Sequence, residues 1–226
     1  SIVGAPQYQK YFNLREKKIK SPFKFKYFLF VGPALPFDEL KVLEQLDFIL
    51  ENNKNFKGFK IVYRPHPHQH PRECNNNFFN FNFKNIILDP QAKNYYQKKK
   101  TFYPNLKYYP SLLKNAKLVL APLSTMLLES IIFRKKILVI AHSDNYHYTT
   151  PKRNLENLEH LKIINRNPLL YYSYDLLDLE KKLVQIFKDN RNKEKKMDKF
   201  REKILINSAD FQKNILFSVN KLFKNE

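Results

Sequence analysis

Three short stretches carry side chains whose type and spacing suit chemistry on an anionic ligand. The first is Arg64-Pro65-His66-Pro67. Its two prolines hold the backbone extended and stiff, fixing a guanidinium beside an imidazole. Arginine grips phosphate or carboxylate bidentately, so this pair suits such a group. The second is Ser124-Thr125 with Glu129 about one turn further on. Serine at a helix start is an N-cap, and capping alone explains it. The same geometry also aims free N–H groups and the positive dipole end at an anion. Glu129 is either a solvated carboxylate or, beside a nucleotide, an acceptor for ribose hydroxyls. The third stretch is Gly32-Pro33-Ala34, which closes an apolar run.

His66, His68 and His70 alternate, so in an extended segment they share a face that suits a metal. Only Glu73 and Cys74 follow nearby, at unmatched spacing. No metal is therefore expected, and His68 and His70 read as a polar loop. The sequence contains neither G-x-G-x-x-G nor G-x-x-x-x-G-K-[ST], which disfavours dinucleotide oxidoreductases and P-loop enzymes. The lack of G-x-S-x-G weakens a hydrolase reading. No cofactor is expected.

The elements that must position these residues alternate between strand and helix. Tyr27–Val31 is a continuous apolar run and reads as a buried parallel strand. Asp38 opens a helix carrying Leu40, Leu43, Leu46, Phe48, Ile49 and Leu50 at helical spacing. A second strand, Phe59–Tyr63, leads straight into Arg64, and residues 68–85 form a long polar excursion. Short strands follow at Ile86–Leu88, Leu118–Ala121 and Ile137–Ala141, with an edge strand at Leu161–Ile164. Helices are expected at Tyr109–Ala116, Met126–Phe133, Asp175–Phe187 and Ala209–Phe223, the last two joined by a charged stretch whose 193–199 run is a solvated face. This alternation predicts an α/β fold with a mostly parallel, Rossmann-like sheet. In such sheets ligands bind outside the carboxyl ends of the strands, where all three stretches fall.

The chain has 226 residues and a formal net charge of +20, with 43% hydrophobic content including 20 Phe and 14 Tyr. A packed core is affordable, so a disordered basic tail is excluded. One Cys excludes a disulfide framework. No apolar run reaches the roughly 18 residues of a membrane span. Of the 41 basic residues only 8 are Arg, while Asn reaches 24 and Gly falls to 3. Such a bias explains much of the charge, and a shortage of Arg argues against nucleic-acid readout. The large positive field still favours an anionic partner.

Four segments together resemble the C-terminal half of GT-B-fold transferases: Val3–Phe12 (VGAPQYQKYF), Phe28–Glu39 (FLFVGPALPFDE), Ile61–Pro67 (IVYRPHP) and Leu112–Ala141. They are similar to bacterial capsule and lipopolysaccharide glycosyltransferases, including Kdo- and sialic-acid-type enzymes, and to CDP-glycerol glycerophosphotransferases. The resemblance spans roughly residues 3 to 145. It implies a nucleotide-activated donor, cytidine-linked by preference, and a polysaccharide or lipid-linked acceptor. Arg64 and His66 would contact the donor phosphates or sugar acid, Ser124 and Thr125 the phosphate oxygens, and Glu129 the ribose. Gly32 would allow close approach at the first loop. Arg64 would also stabilise the leaving phosphate, and His66 would protonate it, making these two the catalytic pair.

The resemblance, together with the amphipathic pattern of the tail, divides the chain into an interdomain linker (1–24), a donor-nucleotide domain (25–170) and C-terminal helices (171–226). It places an acceptor-binding domain upstream of Ser1 and the enzyme in the cytoplasm, peripheral to the inner face of the plasma membrane. Relatives carry a Gly in the turn where this chain has Phe133-Arg134-Lys135-Lys136. Two other readings compete: a nucleotide-sugar epimerase, which needs acidic groups the cleft segments lack, and a basic nucleic-acid-binding module stacking bases on its aromatics.

Overall fold

The computed structural model describes residues 4–33, 37–66, 82–98, 108–122, 124–157, 164, 167, 169–191, 193–206 and 208–223. Six strands form one parallel sheet: β1 (Lys26–Val31), β2 (Phe59–Arg64), β3 (Ile86–Leu88), β4 (Val119–Ala121), β5 (Ile137–Ile140) and β6 (Tyr171–Ser173). Their order is β3-β2-β1-β4-β5-β6. Strand order therefore reverses between β1 and β4, and in sheets of this kind ligands bind outside the carboxyl ends at that point.

The strands are apolar on both sides because helices cover both faces. In β1, Tyr27, Leu29 and Val31 join one core, with Val119, Ala121, Ile137 and Val139. Helices α1 (Pro6–Arg15), α4 (Tyr108–Asn115), α5 (Thr125–Ile132) and α8 (Glu194–Ile204) pack on that side. Phe28 and Phe30 point the other way, into a core with Ile61, Tyr63, Leu120 and Ile140. That core is closed by α2 (Glu39–Asn52) and α7 (Leu176–Lys188). The remaining helices are α3 (Pro90–Lys98), α6 (Pro151–Asn157) and α9 (Phe211–Phe223).

Several expectations need correction. The edge strand is Tyr171–Ser173, whereas Ile164 lies in a turn and 161–163 fall outside the described residues. The sheet thus runs past residue 170. Phe48 is 59% exposed, because Val42, Leu43, Leu46, Ile49 and Leu50 define a buried stripe that excludes position 48. The first segment holds a helix, α1, which buries Tyr8 and Tyr11 against α4 and α5. The charged stretch contains α8, whose Met197 and Phe200 are buried while its lysines face out. The polar excursion and the candidate ligands His68, His70, Glu73 and Cys74 lie largely outside the described residues.

In the turn after α5, where the resemblance implies Gly, Arg134 adopts φ +54°. That left-handed conformation is free for Gly and costs other residues about 1 kcal/mol. The Arg134 side chain offsets the strain by bonding Asp198 of α8 at 3.0 and 2.5 Å.

Candidate functional site

The carboxyl ends of all six strands converge on one face, and the predicted residues are distributed along it. Gly32 follows β1 and donates its N–H to the Arg64 carbonyl at 2.9 Å, so the ends of β1 and β2 stay zipped. A Cβ on Gly32 would lie 2.6 and 2.8 Å from the Glu39 carboxylate oxygens. Glu39, in the first turn of α2, is 1% exposed and accepts the Tyr63 hydroxyl at 2.5 Å. The site therefore needs Gly32 for its lack of a side chain.

Arg64 is the last residue of β2 and is 3% exposed. Its guanidinium pairs with Asp89, which follows β3, and donates to Gln91 Oε1 at 3.1 Å. It also lies over the Tyr109 ring, 5.0 Å from the centroid. Asp89 accepts the Tyr108 hydroxyl at 2.6 Å as well. His66 stands two residues further on and is half-buried.

Ser124 is the N-cap of α5, yet its side chain makes no capping bond. Its Oγ is buried and has no hydrogen-bond partner among the described residues. A buried hydroxyl without a partner is costly. It lies beside the Thr125 and Met126 N–H groups at the helix start, while the Leu127 N–H already bonds the Ser124 carbonyl at 3.1 Å. Thr125 is exposed next to it. The two residues expected to bind phosphate thus offer an unspent donor and a helix dipole end.

Glu129 points the other way, into the α1–α4–α5 interface. Its carboxyl accepts the Tyr109 hydroxyl, and Tyr11 is a second partner. Burial pushes its pKa up to about 7, against the Tyr109 bond, the Arg64 charge and the Tyr11 bond. Asp89, Arg64, Tyr109 and Glu129 therefore form one polar chain beneath the cleft floor. Arg64 and Glu129 are withdrawn from solvent, whereas Thr125 is exposed and His66 half-buried.

Sequence reasoning missed the other half of this face. His142 follows β5, is 2% exposed, and shares a 2.7 Å hydrogen bond between Nε2 and Ser173 Oγ at the end of β6. Ser173 in turn donates to Asp178 at 2.5 Å. Burial holds the His142 pKa down at about 4, so the ring is neutral. Asp144 bonds His147 Nδ1 at 2.6 Å and accepts the Asp38 N–H at 3.1 Å, tying the loop after β5 to the start of α2. Although burial opposes it, hydrogen bonds from His147, Tyr146 and Asp38 hold the Asp144 pKa at about 2. Tyr146 and Tyr148 stand 86% and 82% exposed on this loop. The signal was available: His142 and Asp144 follow an apolar strand directly, as Asp89 follows Ile86–Leu88.

Among the described residues no group of three or more His, Cys, Asp or Glu could hold a metal ion. Nor is any helix there long and apolar enough to cross a membrane.

No family model matches the chain, and no curated protein matches it. Solved structures do. The glycotransferase of kitacinnamycin aligns with a TM-score of 0.51 and 11% identity, over 90% of this chain and 45% of that one. The C-terminal domain of a glycosyl transferase group 1 family protein (LpcC) from Francisella tularensis aligns at TM-score 0.45 and 16% identity, over 92% of each chain. TarM from S. aureus, crystallised with fondaparinux, alpha-GlcNAc-glycerol and UDP, aligns at 0.41 and 15% identity, over 90% of this chain and 37% of that one. At these identities the likeness is one of fold, and it rests on the first. This chain spans 45% of the length of the kitacinnamycin glycotransferase. The parallel sheet flanked by helices is a Rossmann-like α/β fold, shared with part of that glycotransferase.

Proposed function

We propose that the chain is the donor-binding half of a GT-B glycosyltransferase, holding a nucleotide-activated sugar in the crevice between β1 and β4. The observation that carries this reading is the unpartnered, buried Ser124 hydroxyl at the N-terminus of α5. It stands where strand order reverses, opposite the Gly32 loop. A diphosphate there gains the Ser124 hydroxyl, the first-turn N–H groups and the positive dipole end. Gly32 leaves room for the Glu39 carboxylate at the end of β1, and Thr125 and His66 reach the ligand from either side.

Arg64 and Glu129 act on this ligand as positioning residues. Arg64 contributes positive potential from below while holding the end of β2, and with it His66, against β3. Glu129 braces the first turns of α5 through Tyr109. Transfer then proceeds by positioning and by stabilising the leaving phosphate, with His66 placed to give it a proton. The acceptor, a surface polysaccharide or its lipid-linked precursor, would be held by a partner domain outside these residues. In this reading an entering segment, a donor domain and C-terminal helices make up the chain, which works on the cytoplasmic side of a membrane surface.

The test is calorimetric titration of the chain with UDP, CDP and CMP. Binding of at least one nucleotide, weakened about tenfold by Ser124→Ala, is expected from the loss of one hydrogen bond to a charged group. Nucleotide binding indifferent to Ser124→Ala and His66→Ala contradicts the assignment.

A further inference from the structure

A cavity of about 380 Å³ lies at the amino ends of the strands, the opposite end of the sheet from the proposed nucleotide site. Its walls come from the amino ends of β4, β5 and β6 and the turns after α5 and α7. Six basic side chains line it: Lys117, Arg134, Lys135, Lys136, Arg191 and Lys193. Only two acidic ones, Asp189 and Glu194, share the lining.

The cations divide into two sets. Asp189 pairs with Arg191 at 2.8 Å and Lys193 at 3.1 Å, and Asp198 pairs with Arg134 at 2.5 Å. Lys117, Lys135 and Lys136 make no ion pair among the described residues. Lys135 donates to the Ala116 carbonyl at 3.1 Å, and Lys136 to the Ile186 and Phe187 carbonyls at 3.1 and 3.3 Å. Neutral carbonyls anchor these ammonium groups without cancelling their charge, and each ammonium has three N–H donors. Burial, then Lys114 and Lys117, hold the Lys135 pKa down at about 8. Burial and then Lys117 lower that of Lys136, with Lys193 adding to the effect and Asp189 opposing it. The fold thus holds three like charges together at a concave, partly dehydrated surface, where an anion relieves their repulsion.

We propose that this cavity is a second anion site, taking a phosphate-class ligand remote from the nucleotide cleft. Lys117, Lys135 and Lys136 supply the net charge, and the paired Arg134, Arg191 and Lys193 supply fixed walls. The same chemistry accepts free phosphate or pyrophosphate and the phosphate of a lipid headgroup. Its volume lies within the range of small-ligand sites.

Two probes test this at fixed ionic strength: calorimetric titration with inorganic pyrophosphate, and co-sedimentation with phosphatidylglycerol or phosphatidylcholine vesicles. The variant is Lys117→Gln with Lys136→Gln. Its control, Lys54→Gln with Lys57→Gln, removes the same charge from an exposed turn outside the cavity lining. Lys135→Gln is measured separately because that side chain is half-enclosed, and circular dichroism checks each fold. Pyrophosphate binding weakened about tenfold or more per lysine in the cavity variant, and retained in the control, supports a site for soluble phosphate. The same pattern with phosphatidylglycerol vesicles alone supports a headgroup site. No binding of either probe overturns the proposal. So does equal weakening by both pairs, which marks a diffuse field, or no weakening by the cavity pair, which puts the probe in the nucleotide cleft.

Discussion

Arg64 and Asp89 form an ion pair withdrawn from water, with side chains 4% and 0% exposed, joining the carboxyl ends of adjacent strands. Removing one partner of such a pair leaves an uncompensated buried charge. Asp89→Asn and Arg64→Ala should each lower unfolding stability by about 3–5 kcal/mol in urea titrations. The double change Arg64→Met with Asp89→Leu should be far milder than the sum of the singles. Additive losses would show that the pair is not an energetic unit.

Glu129 makes stability depend on pH. Its folded pKa of about 7 lies above the ordinary 4.5, so the folded state binds its proton more tightly than the unfolded state. Stability from this group is complete below pH 4.5 and is lost as pH rises through 7. Relative to Glu129→Gln, the protein should lose about 3 kcal/mol between pH 4.5 and about pH 8. Parallel stability–pH curves for the two proteins would refute the assignment.

Gly32→Ala drives a methyl group into the Glu39 carboxylate, which Tyr63 holds in place. A loss of about 1–3 kcal/mol is expected, as for overpacking elsewhere. Glu39→Ala in the same chain should recover part of it, so a double-mutant cycle should give a coupling energy of at least about 0.5 kcal/mol. Simple additivity would argue against the contact.

At position 134 the ranking of two variants is diagnostic. Both Gly and Ala lose the Asp198 pair, but only Gly accepts φ +54° without strain. Arg134→Gly should therefore be more stable than Arg134→Ala by about 1 kcal/mol in thermal unfolding. Ala equal to or above Gly would mean that the turn relaxes.

Much of this architecture was legible because burial on both faces writes strands as unbroken apolar runs. Tyr27–Val31 and Ile137–Ile140 show this, and Asp38 marked the start of α2. Ser124 was readable as a helix start after an apolar strand. What lay out of reach depended on pairing across the chain. Nothing local to Arg64 says that β3 lies beside β2 and brings Asp89 to it. Glu129 reads as a surface carboxylate until α1 brings Tyr11 and α4 brings Tyr109 over it. Helix α1 itself is faint, because tyrosines among polar residues carry its burial. The lysine cavity combines turns from four distant segments, and in the sequence it was indistinguishable from compositional excess.

In the proposed function a nucleotide phosphate binds where β1 and β4 part. Amide chemical-shift mapping during titration with UDP, CDP and CMP tests it most directly. Saturable shifts are expected for at least one nucleotide, centred on Gly32, Ser124, Thr125 and Met126 and extending to His66. Shifts confined to Lys117, Lys135 and Lys136, or no saturable shift with any of the three, would contradict it.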